Sequence, residues 1–134
     1  MKKRALSMLR LAERLLIENE PDLSVLHSEH AAQLYVRAVL YRMTGEEYRG
    51  HSIRALLGVL ATVLEEKGLR QEAEQVIDFL RKSRRELAEL EEGHTRSIYG
   101  IYEYSQYQAK KLLEVAKSVI KLLEQIEQGI FETQ

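Results

Sequence analysis

Arg49, Gly50, His51 and Ser52 stand where a long apolar stretch gives way to a leucine-rich one. A helix that begins at Ser52 exposes free backbone N–H groups and the positive end of its dipole there, a natural place for an anion. Arg49 would neutralise a phosphate, and His51 could move a proton on it, which makes these two the candidate catalytic residues. Arg49, His51 and Ser52 are accordingly candidate ligand-binding residues. The same four residues also suit a plain loop–helix junction, with Gly50 permitting the turn and Ser52 capping the helix.

A second group lies between His94 and Gln106. Arg96 could meet phosphate, and Tyr99, Tyr102 and Tyr104 could stack on bases. The rings could equally pack the segment onto the rest of the molecule. Arg81, Lys82, Arg84 and Arg85 form the densest basic run, but Glu86, Glu89, Glu91 and Glu92 follow it, and a solvated helix face accounts for the pattern. His27 and His30 have a spacing that could present two metal ligands, yet nothing identifies a third, so no metal site is expected. Phosphate-loop, nucleophile-elbow and zinc-protease motifs are missing, and no cofactor is expected.

The elements that must position these residues read as helices. Apolar residues recur at 3.6-residue spacing, and no segment alternates as a strand would. The first helix is expected from about Lys3 to Asn19, with Leu9, Ala12, Leu15 and Leu16 inward and Pro21 ending it. The second follows, with Asp22 or Ser24 as cap, and runs to about Thr44. Leu26, Ala31, Leu34, Ala38 and Tyr41 lie on one side of it and Val36, Val39, Leu40 and Met43 toward another. So apolar a helix is central or meets a partner chain. The third starts near Ser52 and stops at Gly68. The fourth is expected from about Arg70 to Glu92, with Gly93 as its stop, followed by an irregular stretch to Gln106. The last covers about Tyr107 to Gln128, with a frayed tail after Gly129. Five amphipathic helices with short connections predict an all-α, antiparallel up-and-down bundle around a four-helix core, as one domain over residues 1–134.

Composition excludes several classes. The 134 residues are 45% hydrophobic and 31% charged, the balance of a globular chain. A net charge of −1 gives no overall attraction to polyanions, so any nucleic-acid contact must be local. Cysteine is absent, which removes disulfides and thiolate metal sites. No signal peptide is visible, and no apolar run approaches the ~20 residues that span a bilayer. A cytoplasmic protein is expected.

Residues 22–64 resemble the HEPN domains (higher eukaryote and prokaryote nucleotide-binding), of the prokaryotic or archaeal stand-alone type. The resemblance lies in Ala31, Ala32, Leu34 and Ala38 on a long helix, then a glycine-containing turn, then Arg49 and His51 before a leucine-rich helix. The Arg96–Tyr99 segment and the final amphipathic helix are similar in a less distinctive way. The resemblance implies a dimer and nucleotide or RNA-phosphate binding. It also implies a minimal nucleotidyltransferase partner in a toxin–antitoxin-like pair. Several members are metal-independent RNases whose signature is Arg followed, after four to six residues, by His. Here His51 follows Arg49 with one residue between and Arg42 with eight, His94 follows Arg85 with eight, and Arg14 lies too far from His27 and His30. The signature is absent, so nuclease activity does not carry over. An RNase with a non-standard Arg/His site and a pure protein-interaction module stand as alternatives.

Overall fold

In the computed structural model, residues 1–50, 52–99 and 103–132 are described, without the side chains of residues 96–99 and 132. Five helices follow in order: α1 (Lys2–Ile17), α2 (Pro21–Thr44), α3 (Ile53–Glu66), α4 (Arg70–Tyr99) and α5 (Gln106–Glu127). A π-helical turn over Gln128–Glu132 follows α5. This is the expected all-α bundle. Among the described residues, no helix is long and apolar enough to cross a membrane.

Sequence chemistry explains most of the boundaries. Asn19 takes a left-handed φ of 63°, a conformation Asn tolerates better than most residues. The amides of Glu20 and Asn19 then donate back to Leu15 and Leu16, closing a Schellman turn. Pro21 is the first residue of α2, where its missing N–H costs nothing. Gly68, at φ 80°, closes α3 in the same way, its amide donating to Glu65 and that of Leu69 to Leu64. Ser105 caps α5 in a reciprocal box with Gln108.

α2 is the central rod and packs against all four other helices, while α3 pairs with α4. Its apolar breadth is therefore spent inside the bundle. Val25, Ala31, Tyr35, Val36, Val39 and Leu40 are buried, whereas Tyr41 is 47% exposed. In α1 the tightest positions are Ala5 and Ala12, with Leu9 and Leu16 only partly covered. Small residues let α1 lie close to α2, and the Ser24 hydroxyl donates to the Ala12 carbonyl at 2.7 Å across that seam.

Three expectations need correction. Gly93 does not stop α4, which continues to Tyr99. A Cβ there would lie 2.4 Å from Val25 Cγ1, so the glycine lets α4 approach α2 rather than turning the chain. Neither Asp22 nor Ser24 caps α2: Glu20 holds that position without a side-chain bond. Asp22 instead accepts the Tyr104 amide at 2.7 Å, tying the entry to α5 onto the start of α2. The tail does not fray at Gly129. It winds back until the Phe131 ring lies 3.8 Å from the Arg42 guanidinium.

Candidate functional site

The turn after α2 is built from its own side chains. Gly45 adopts φ 76°, and the Thr44 hydroxyl both donates to the Leu40 carbonyl (2.8 Å) and accepts the Glu46 amide (3.1 Å). Arg37, two turns back on α2, donates from Nε to the Tyr48 carbonyl at 2.6 Å. That charge-assisted bond pins the turn against the helix. The result is a cavity of about 470 Å³ between α1, α2 and the turn, lined by Arg4, Leu34, Arg37, Glu47, Tyr48 and Arg49, together with Met1. Three guanidinium-bearing side chains and one carboxylate line it. Such a concavity favours an anion, and Leu34 with the Tyr48 ring gives it an apolar wall.

The residues singled out from sequence separate. Arg49 lines this cavity. Ser52 lies at another, of about 360 Å³, with Arg54, Ala55, Leu80 and Arg84. Its hydroxyl accepts the Ala55 amide at 3.1 Å as the cap of α3. Arg54 there is held by Glu91 at 2.6 Å. His51 and Tyr102 lie outside the described residues. Arg96 and Tyr99 fall on the last turns of α4, their side chains outside the description. Tyr104 sits over Gly93, its hydroxyl 3.1 Å from where a Cβ would be. Arg4 was not anticipated, because nothing local connects the start of α1 to a turn more than forty residues on.

Behind the cavity runs a line of polar side chains that sequence reasoning also missed. Glu29, Gln33 and Arg37 are spaced i, i+4 and i+8, so they stack along one face of α2. Glu29 is only 1% exposed. Gln33 Nε2 donates to Glu29 Oε2 at 3.1 Å, and Arg37 Nη1 makes a long 3.5 Å contact with Gln33 Oε1. From α4, His94 Nδ1 lies 2.9 Å from Glu29 Oε1. Burial pushes the Glu29 carboxyl up to about 7, with nearby Glu91 adding to the rise and the Gln33 bond opposing it. The His30 ring stands edge-on to His94 at 6.4 Å. Burial, with smaller effects of His27 and Arg37, lowers its proton affinity. The signal for this line was present in the sequence as regularly spaced polar residues on an otherwise apolar helix.

A HEPN domain family model matches residues 1–126. The chain belongs to the HEPN family. That places it among nucleotide- and RNA-related helical domains, which commonly dimerise. No match was found among curated proteins or among solved structures. In this HEPN domain the turn carrying Arg49 borders a guanidinium-lined cavity, and on the same α2 a buried carboxylate, Glu29, meets the partly exposed His94 imidazole. Among the described residues, no group of three or more His, Asp or Glu side chains could hold a metal ion.

A second buried carboxylate, Glu127, lies at the same end of the HEPN bundle as the cavity, near the start of α1 and the second half of α2. Glu127, 4% exposed, accepts from the Tyr35 hydroxyl at 3.0 Å, from Arg42 Nη1 at 3.0 Å and from Lys2 Nζ at 3.2 Å. Burial and the adjacent carboxylate raise the Tyr35 pKa well above the usual phenol range. This site joins α1, α2 and α5 and is filled by its own partners.

Proposed function

We infer that this HEPN domain binds the phosphate of a nucleotide or of RNA in the Arg4–Arg37–Arg49 cavity. The observation that carries the reading is the meeting of three arginines from α1, α2 and the following turn at one concavity with a single carboxylate, Glu47. Arginine suits phosphate because its planar fork can donate two parallel hydrogen bonds. The volume suits a single nucleotide unit. The domain works as a homodimer beside a minimal nucleotidyltransferase protein, in a toxin–antitoxin-like pair. Family membership supports that part.

Titration of ATP, GTP and a short RNA while following the melting temperature tests the binding. A ligand at a hundred times its Kd stabilises by about 2.7 kcal/mol. The shift should vanish in Arg49→Ala and in Arg4→Ala, neither of which touches the core. No shift for any of the three would remove the reading. Scattering at high concentration checks the dimer, and a monomer would contradict it.

The contact of His94 with a buried carboxylate favours a second reading, an RNase with a non-standard Arg/His arrangement. A carboxylate partner orients an imidazole for proton transfer. Metal-free cleavage of mixed RNA that is lost in His94→Ala would support it. Intact RNA at high protein excess would remove it.

A further inference from the structure

We propose that anion binding in the Arg4–Arg37–Arg49 cavity is coupled to proton uptake at the buried Glu29 carboxyl, which meets His94, with the Gln33 amide as the link. The coupling rests on the binding reading above and deepens it by naming how the site is controlled. Its basis is a continuous polar line. Tyr48, in the cavity wall, is held through its carbonyl by Arg37 at 2.6 Å, Arg37 meets Gln33 at 3.5 Å, Gln33 donates to Glu29 at 3.1 Å, and Glu29 meets His94 at 2.9 Å. Glu29 and Gln33 are buried, so their fields are weakly screened.

The charges around Glu29 come from three helices. On α2 the adjacent His30 has His27 and Arg37 acting on it. On α4 the charges are Glu91 and His94, and from α3 Arg54 grips Glu91. Glu29 carries a proton below about pH 7 and is ionised above it. An anion drawn to Arg37 competes with an ionised Glu29 for the positive field along α2. Binding therefore favours the protonated carboxyl, and affinity falls as pH rises through about 7. Linkage requires the reverse as well: a bound anion raises the pH at which Glu29 loses its proton.

Sulfate and the dinucleotide ApA serve as probes, because neither titrates between about pH 6 and pH 8. Calorimetry on the full chain in two buffers of different ionisation enthalpy should record net proton uptake on binding. The Kd should weaken about threefold to tenfold from pH 6 to pH 8. Glu29→Gln should bind with no pH dependence. His30→Gln, which removes a competing titration, should retain it. Gln33→Met should weaken the dependence while Glu29 still titrates. A second readout needs no variant: the Glu29 carboxyl carbon resonance should titrate at higher pH when sulfate is present. Binding with the same Kd at both pH values, or an unmoved Glu29 midpoint, overturns the coupling and leaves the binding reading intact. Absence of binding by either probe at both pH values overturns both.

Discussion

Glu29 and Glu127 are both carboxylates inside the same bundle, and their partners differ in kind. Glu127 has two cations and a phenol around it, each at 3.0–3.2 Å. Glu29 has a neutral amide and an imidazole, and a neighbouring carboxylate, Glu91, opposes its charge. Burying a carboxylate is tolerable when opposite charge and donors replace water, and costly otherwise. The first arrangement makes Glu127 a structural post between α1, α2 and α5. The second leaves Glu29 ready to change charge near neutral pH, two turns of α2 before Arg37 and joined to it through Gln33.

The largest effect is expected from Glu127→Ala. It leaves the Tyr35 hydroxyl buried without an acceptor and Lys2 beside Arg42 without a counter-ion. Lys2 and Arg42 are 41% and 46% exposed, so water relieves part of the cost. A loss of about 3 kcal/mol is expected, below the full figure for a buried pair. Urea denaturation at pH 7 measures it. A loss under about 0.5 kcal/mol would place Glu127 with ordinary surface ion pairs and erase the contrast.

Glu29→Gln should act in the opposite sense, and only at high pH. Burial pushes the folded carboxyl up to about 7 from its ordinary 4.5. Below 4.5 both folded and unfolded chains hold the proton, and Glu29 adds no pH dependence. Between 4.5 and 7 the folded chain holds more protons, so stability falls as pH rises, and it levels off above 7. Glutamine removes that slope. The variant should match the parent near pH 4.5 and exceed it by about 2 to 3 kcal/mol at pH 8. Parallel stability curves for the two proteins from pH 5 to pH 8 would contradict the assignment.

What the sequence disclosed and what it concealed divides along a physical line. Local chemistry was legible. Gly68 was expected to end a helix and does, because its reason is a positive φ within its own turn. Arg49 stood out because it sits in a turn that a helix follows, and that turn forms one wall of the cavity. Contacts between distant helices were not legible. Gly93 resembles Gly68 in sequence, but its reason is the Val25 side chain of another helix. Asp22 looked like a cap for its own helix and binds an amide 82 positions away. The line from Glu29 to Arg37 could have been read from its spacing, but not its junction with His94.

Gly93 offers a third way to sharpen the comparison. Gly93→Ala places a methyl against Val25 and must move α4 away from α2. Alanine gains about 1 kcal/mol of helix propensity, and overpacking costs about 1 to 3 kcal/mol. A net loss of about 1 to 2 kcal/mol is expected. The shift should also lengthen the contact between Glu29 and His94, the residue after Gly93. The Glu29 titration should therefore move while stability changes linked to Glu127 stay the same. A variant as stable as the parent, with an unmoved Glu29, would show that the helices do not need this approach.

The smallest effect belongs to Tyr35→Phe. The ring stays, and with it the packing of a residue 1% exposed and the contact with Lys2 Nζ at 5.7 Å. Only the hydroxyl that donates to Glu127 is lost, and two cations still hold that carboxylate. The expected loss is about 1 kcal/mol, the ordinary worth of one hydrogen bond. The raised Tyr35 pKa keeps the phenol protonated and donating across the neutral range. The loss should therefore be equal at pH 6 and pH 8, measured by urea denaturation at each. A loss that grew with pH in that interval would mean that the Glu127 site also changes charge there, and the distinction between post and switch would fail.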